Sequence, residues 1–222
     1  MRILLVHVHP EPKSFNGALT RTAVDTLSRA GHTVAVSDLY AMNFNPVSDR
    51  RNFTTVKNPD YYVQTDEELH ATAHGGFVPE IEAELRKVEA CDLLIWQFPF
   101  WWYGMPAMLK GWVDRVFAYG RAYKSGCSHA TGVFRGKRAL LLLTTGASEA
   151  SYQKGARNGD IHAMLRPVQR GMLSYAGFSV LAPQISYGLD DATPEQRTAL
   201  LAAWAVRLGK IADELPIDVG EH

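Results

Sequence analysis

Four bulky rings in succession, Phe100, Trp101, Trp102 and Tyr103, follow Pro99 and end at Gly104. Four consecutive rings in a loop cannot all turn inward. Exposed aromatic surface is therefore expected there, suited to a partner interface or to a flat ligand. The backbone amides of such a turn are also open to carbonyl oxygens and ring nitrogens. The segment after it differs: Pro106 suits a first helical turn, and Met108, Leu109, Trp112, Val113, Val116 and Phe117 recur at helical spacing. Those six residues are core and carry no chemistry.

Two further loops hold polar groups. Residues 7–19, HVHPEPKSFNGAL, run from an apolar stretch into a helix start. The unpaired amides and dipole of a helix N-terminus suit a phosphate, to which Ser14 offers a hydroxyl, Asn16 an amide and His9 an imidazole. Ser14 or Asn16 could equally cap the helix, and loop position does not separate the two readings. Residues 143–160, LTTGASEASYQKGARNGD, open with Thr144, Thr145 and Gly146 and hold Tyr152 among small and polar neighbours. A free phenol is one reading of that loop. A flexible surface loop is the plainer one.

The elements that must position these loops alternate along the chain. Strands are expected over residues 2–9, His32–Leu39, Asp92–Phe98, Lys137–Thr144 and Ser179–Ser186. Helices are expected over Gly17–Ala30, with Gly31 as the stop, and over Pro79–Ala90, Pro106–Phe117, Asp160–Ala176 and Pro194–Ala212. Residues 40–78 break the rhythm with Asn, Pro and Gly, and hold one short helix around Thr65–Ala73; so long an insertion is usually functional. The pattern predicts a single α/β domain over residues 1–222, a five-stranded parallel sheet with helices on both faces. Ligands in such sheets bind beyond the carboxyl ends of the strands, where the strand order reverses, which directs attention to the loops that follow the strands.

Composition closes off other classes. A formal net charge of zero argues against general affinity for nucleic acid or for an acidic membrane. No apolar run reaches membrane-spanning length, and the N-terminus reads as a buried first strand rather than a signal peptide. Cys91 and Cys127 lack CxxC spacing and fit ordinary thiols in a reducing cytoplasm. No G-x-G, GxxxxGK, HExxH or GxSxG occurs, so the Rossmann, P-loop, zinc-protease and serine-hydrolase readings fall away and no metal is expected.

Taken together, the loops resemble the NAD(P)H:quinone oxidoreductases of the DT-diaphorase type, a flavodoxin-like family. The likeness runs through SFN at Ser14–Asn16, SDLYAMNFNP at Ser37–Pro46, QFP and WYGMPAMLKGW between Gln97 and Trp112, RAY at Arg121–Tyr123, TTG at Thr144–Gly146, and the Gly177–Tyr187 segment. The family's mammalian members carry an extra C-terminal region, so this chain resembles a compact, bacterial-type member.

The resemblance implies a flavin, FAD with FMN as the alternative, and NAD(P)H as co-substrate. It matches His9, Ser14, Phe15, Asn16 and Ala18 to the pyrophosphate and ribityl loop. Pro99, Phe100, Trp101, Trp102 and Tyr103 match the segment lining the flavin ring. Thr144, Thr145, Gly146 and Tyr152 match the pyrimidine side, and Arg197, seven residues before Trp204, an arginine near the adenine. It further implies a homodimer whose pocket, with Trp102, receives Tyr123 from the other subunit, and ping-pong reduction of a quinone, with Tyr152 and Asn158 as the catalytic pair. The chain departs from the family pattern at Asn158, where a histidine is usual, at Ser125, where a second pocket tyrosine is usual, and at Trp101, in place of a glutamine. The same likeness is compatible with a flavoprotein that regulates a potassium-efflux system and with an azo- or nitro-reductase; a non-enzymatic electron carrier fits less well, because such carriers are usually acidic.

Overall fold

The structure is a computed structural model and describes residues 1–220. Strands β1 (Arg2–His7), β2 (Thr33–Asp38), β3 (Leu93–Pro99) and β4 (Arg138–Thr144) lie parallel in the order β2-β1-β3-β4. The fifth position is shared by β5 (Ser179–Val180) and β6 (Gln184–Ser186), both paired with β4. The expected unbroken strand over Ser179–Ser186 is thus two pieces. Pro183, which has no N–H to give the ladder, stands in the gap.

Side chains alternate across the sheet, and the two faces differ in how their rows end. On one face Leu4, Val6, Leu94, Trp96, Phe98, Leu141 and Leu143 are apolar throughout; they meet Ile81, Leu85 and Val88 of α3 (Pro79–Ala90), Leu109, Trp112 and Val116 of α4 (Ala107–Val116), and Leu165 of α5 (Ile161–Val168). On the other, Ile3, Leu5, Leu93, Ile95, Leu140 and Leu142 meet Leu19, Ala23 and Leu27 of α1 (Phe15–Arg29) and Trp204 and Leu208 of α6 (Pro194–Leu208). Each fully buried side chain of this size contributes roughly 1.5–3 kcal/mol. On that second face, counting by twos reaches His7, Gln97 and Thr144 at the carboxyl ends, all buried. The row turns polar where the loops begin.

Local chemistry sets the boundaries. Helix α1 begins at Phe15 and not at Gly17, because the Ser14 hydroxyl accepts the Gly17 N–H at 3.1 Å and caps it. Gly31, at φ 81°, ends it as expected. The helix of residues 161–176 passes through a π-helical turn at Gln169–Ser174, just after Pro167, which has no N–H for the ordinary pattern. Helix α6 stops at Leu208, short of Ala212, and the Trp204 Nε1–H reaches the Leu19 carbonyl at 3.2 Å, tying α6 to α1. Within residues 40–78 lies α2 (Gln64–His74). Its buried Glu67 accepts the Lys57 and Asn58 N–H groups and pairs with Arg50, so this insertion is folded back on itself. Among the described residues no helix is long and apolar enough to cross a membrane.

Candidate ligand-binding crevice

Strand β1 has β2 on one side and β3 on the other, so the chain reverses direction across the sheet there. The crevice expected at such a switch point is walled by the loops after β1, β3 and β4. Contacts join all three: the Val8 N–H donates to Gln97 O at 2.9 Å, the Phe100 N–H donates to Thr144 O at 2.9 Å, and the His9 and Trp101 rings lie 6.0 Å apart. A cavity of ≈ 530 Å³, lined by Ser148, Glu149, Tyr187 and one side of α6, adjoins the crevice but holds none of the aromatic turn.

The aromatic turn divides its rings as expected. Phe100 packs into the core, Trp101 and Tyr103 are half exposed, and Trp102 is 97% exposed. The Gly104 N–H closes the turn onto Trp101 O at 3.0 Å. Trp102 and Tyr103 take φ of 50° and 60°, the left-handed region that bulky residues rarely adopt. Each such residue costs about 1–3 kcal/mol, and for Trp102 no burial offsets it. Strain held without packing return is a mark of a ligand surface.

At the head of α1, Ser14 satisfies Gly17, leaving the Phe15 and Asn16 N–H groups without an intrahelical acceptor. Arg197 stands beside them, its guanidinium 5.8 Å from the Phe15 ring, donating to Leu189 O at 2.6 Å and Ala192 O at 3.2 Å. Ala18 is half buried in the next turn, and His9 turns back on its own loop, its Nδ1 3.0 Å from the Glu11 N–H. Open amides with a cation alongside suit an anion such as a phosphate. The Ser14 hydroxyl caps the helix by accepting the Gly17 N–H, which leaves its own hydrogen to donate. Asn16 is no cap: its side chain is buried and turned under the crevice.

On the far wall, the Thr145 hydroxyl donates to Ala147 O at 2.8 Å. Gly146 lies so close to Asp190 that a Cβ would sit 2.3 Å from Oδ2. The loop holding Tyr152 is largely exposed, as a surface loop would be, but a 3-10 turn at Glu149–Tyr152 buries the tyrosine ring between Phe100 and Tyr187, each 6.1 Å away. Burial pushes the phenol's pKa above its ordinary value, and the neighbouring Tyr103 adds to the rise, so the proton stays on. The Asn158 N–H donates to Ser151 O at 2.9 Å, which brings Asn158 back beside Tyr152. Tyr123 is not among these residues. It packs on Tyr119 and Tyr175, over a hollow lined by Phe117 and Met172.

Under the crevice lie buried His7 and Gln97 and half-buried Thr20; the sequence motifs assign a role to none of them, although Gln97 opens the QFP motif. His7 Nδ1 meets Gln97 Oε1 and lies 2.9 Å from Thr20 Oγ1. Burial lowers the imidazole's pKa below its usual value, against the opposing pull of Gln97, and leaves it uncharged near neutrality. The one signal available was a polar residue ending an otherwise apolar alternating row.

Known proteins share this arrangement along nearly the whole chain. A model of the flavodoxin-like fold family matches residues 1–210. The mouse ribosyldihydronicotinamide dehydrogenase [quinone] is 46% identical over 97% of this chain and 94% of its own. The guinea pig NAD(P)H dehydrogenase [quinone] 1 is 44% identical over 97% of this chain and 79% of its own. A solved Klebsiella pneumoniae protein assigned as a quinone reductase superposes with a TM-score of 0.93 at 40% identity, covering 98% of this chain and 87% of its own.

Proposed function

The chain belongs to the flavodoxin-like fold family, and on that premise we propose that it is a flavin-dependent quinone reductase fed by a dihydronicotinamide. The observation that carries this reading is the turn from Pro99 to Gly104. It spends backbone strain to hold Trp102 in solvent in the loop after β3, while the loop after β1 leads into the open amides of α1. The residues present fit a flavin. Phe15 and Asn16 N–H groups with Arg197 suit its phosphates, and the Ser14 cap and the neighbouring His9 and Ala18 shape their bed. The turn from Pro99 to Tyr103, exposed from Trp101 onward, suits the edge of a flat ring, and Thr144, Thr145 and Gly146 its pyrimidine end. FAD is favoured over FMN because Arg197 offers a cation next to Phe15, beyond what one phosphate group needs.

When bound, the flavin supplies the two-electron chemistry; the chain supplies position and charge stabilisation. Tyr152 keeps its proton and offers it as a hydrogen bond to negative charge developing on the ring, with Asn158 as a second donor. NAD(P)H and the quinone occupy the same aromatic pocket in turn, against Trp102 and Tyr123 of a second copy in a homodimer. The separation of Tyr123 from the rest of the site within one chain supports that arrangement.

The test is direct. Ligand released from the purified protein should have the absorption spectrum and mass of FAD. The holoprotein should then reduce a benzoquinone with NADH, NADPH or ribosyldihydronicotinamide, whose relative rates identify the donor. A protein that retains no flavin after gentle purification and reconstitution sinks the proposal.

A further inference from the structure

Under the crevice a continuous chain of buried polar side chains links β1 to β4. His7 Nδ1 meets Gln97 Oε1, and Gln97 Nε2 donates to Asn16 Oδ1. Asn16 Nδ2 donates to Thr144 Oγ1 at 3.1 Å, and the Thr144 hydroxyl is itself within reach to donate to Asn16 Oδ1 at 3.2 Å. Register explains the meeting: His7 is paired with Gln97 across β1 and β3, and Pro99 with Thr144 across β3 and β4, so the side chains form one file across the sheet. All four residues are nearly inaccessible, at 3%, 0%, 5% and 5% exposure for His7, Gln97, Asn16 and Thr144. Buried groups of this kind must be paired, and a file of them polarises as a unit.

A primary amide has a donor at one end and an acceptor at the other, so the direction of such a file is inherited from its first member. With a proton on His7 Nδ1, Gln97 must present its oxygen there and its NH₂ to Asn16, and Asn16 its NH₂ to Thr144. Thr144 then accepts from Asn16 Nδ2; Asn16 Oδ1 is already engaged by Gln97 Nε2, so the Thr144 hydroxyl hydrogen can turn from its 3.2 Å contact there to the crevice. With Nδ1 bare, every amide turns over. Thr144 must donate inward, and only a lone pair faces outward. Thr20 Oγ1 does not decide between these, since a hydroxyl can donate or accept.

We infer that His7, with its proton on Nδ1, is a positioning residue that sets the polarity of this file, so that Thr144 offers a hydroxyl hydrogen to the bound ring. This rests on the flavin reading for the identity of the ring, but the polarity belongs to the protein alone. The uncharged state that burial imposes on His7 leaves a single ring proton whose placement matters. A hydrogen bond donated to the pyrimidine oxygens is worth more once the ring carries negative charge, so the file acts on the reduced state.

Two measurements test it. In the flavin-free protein, nitrogen-15 imidazole spectra should show His7 protonated at Nδ1; a bare Nδ1 overturns the inference. In the holoprotein, His7→Leu should weaken flavin binding by about 3–10-fold, the value of one hydrogen bond, and make the ring harder to reduce. His7→Asn, whose NH₂ can donate to Gln97 Oε1 but whose amide can also turn over, should restore both in part. Thr144→Val should reproduce the shift in reduction potential, and the double variant should add nothing to it. An unchanged potential in both His7→Leu and Thr144→Val, or additive effects in the pair, overturns the inference. Should His7→Leu not fold, the Thr144→Val potential and the imidazole spectrum decide. A wild-type protein that binds no flavin overturns the cofactor reading, and the imidazole spectrum then still decides the polarity.

Discussion

Tyr152 carries a different expectation after folding than before it. As a buried ring wedged between Phe100 and Tyr187, it can lose its hydroxyl with little loss of packing. Tyr152→Phe should therefore leave thermal stability nearly unchanged while slowing flavin reduction on the order of 10²–10³-fold in stopped-flow. Since burial raises the phenol's pKa from its ordinary 10.0, the tyrosine's contribution should hold flat from pH 6 to about 9. Trp102 makes the opposite case. Trp102→Gly relieves a left-handed tryptophan that buries almost nothing, so unfolding should become harder by about 1 kcal/mol while kcat/KM for quinones falls. Equal or lower stability would mean that the turn is not strained. His7 adds a pH dependence. Its folded pKa lies below the unfolded 6.5, so between the two the unfolded chain binds the extra proton. Stability is then complete above 6.5 and declines as pH falls through the folded value; His7→Asn should flatten that part of the melting-temperature profile.

At the scale of elements, α1 is the piece whose placement the crevice depends on. Gly17 permits it: a Cβ there would lie 2.2 Å from the Pro12 carbonyl oxygen, a backbone atom that cannot swing aside. Gly17→Ala should cost about 1–3 kcal/mol in chemical denaturation and weaken flavin binding, because the loop and the open amides must part. The element boundaries also show which local signals suffice. The Ser14 cap and Gly31 bracket α1 and are local in sequence. The split of the fifth strand turns on a single proline, and the short helix of the long insertion falls at Gln64–His74, within a residue of its expected place at either end.

For the whole molecule, the unanswered surface lies on the sheet face opposite helix α1. Tyr175 is 41% exposed beside Tyr123, above a hollow floored by Phe117 and Met172. Homodimerisation through this face would carry Tyr123 into a neighbour's crevice. Light scattering should then give twice the 24.6 kDa chain mass, and Tyr175→Asp should weaken association by roughly tenfold or more, with quinone turnover falling as the protein is diluted. Full turnover by a single-chain species would remove Tyr123 from the pocket.

Much of this molecule is written locally. The alternation of strand and helix, the apolar rows, the capping serine and the crowding of rings after Pro99 all follow from periodicity and from sterics acting within a few residues, and the sequence alone determined them. What only the tertiary structure decided involves residues far apart. Asn16 and Ser14 are near neighbours with similar chemistry, yet one caps the helix and the other is buried under the crevice, because β4 brings Thr144 to Asn16 from 128 positions away. Tyr152 is buried by Phe100 and Tyr187, and Tyr123 is carried to another face by Tyr119 and Tyr175. His7 and Gln97 meet across 90 residues because parallel strands pair through crossovers. Register between such strands is set by the packing of whole rows, which no local window contains.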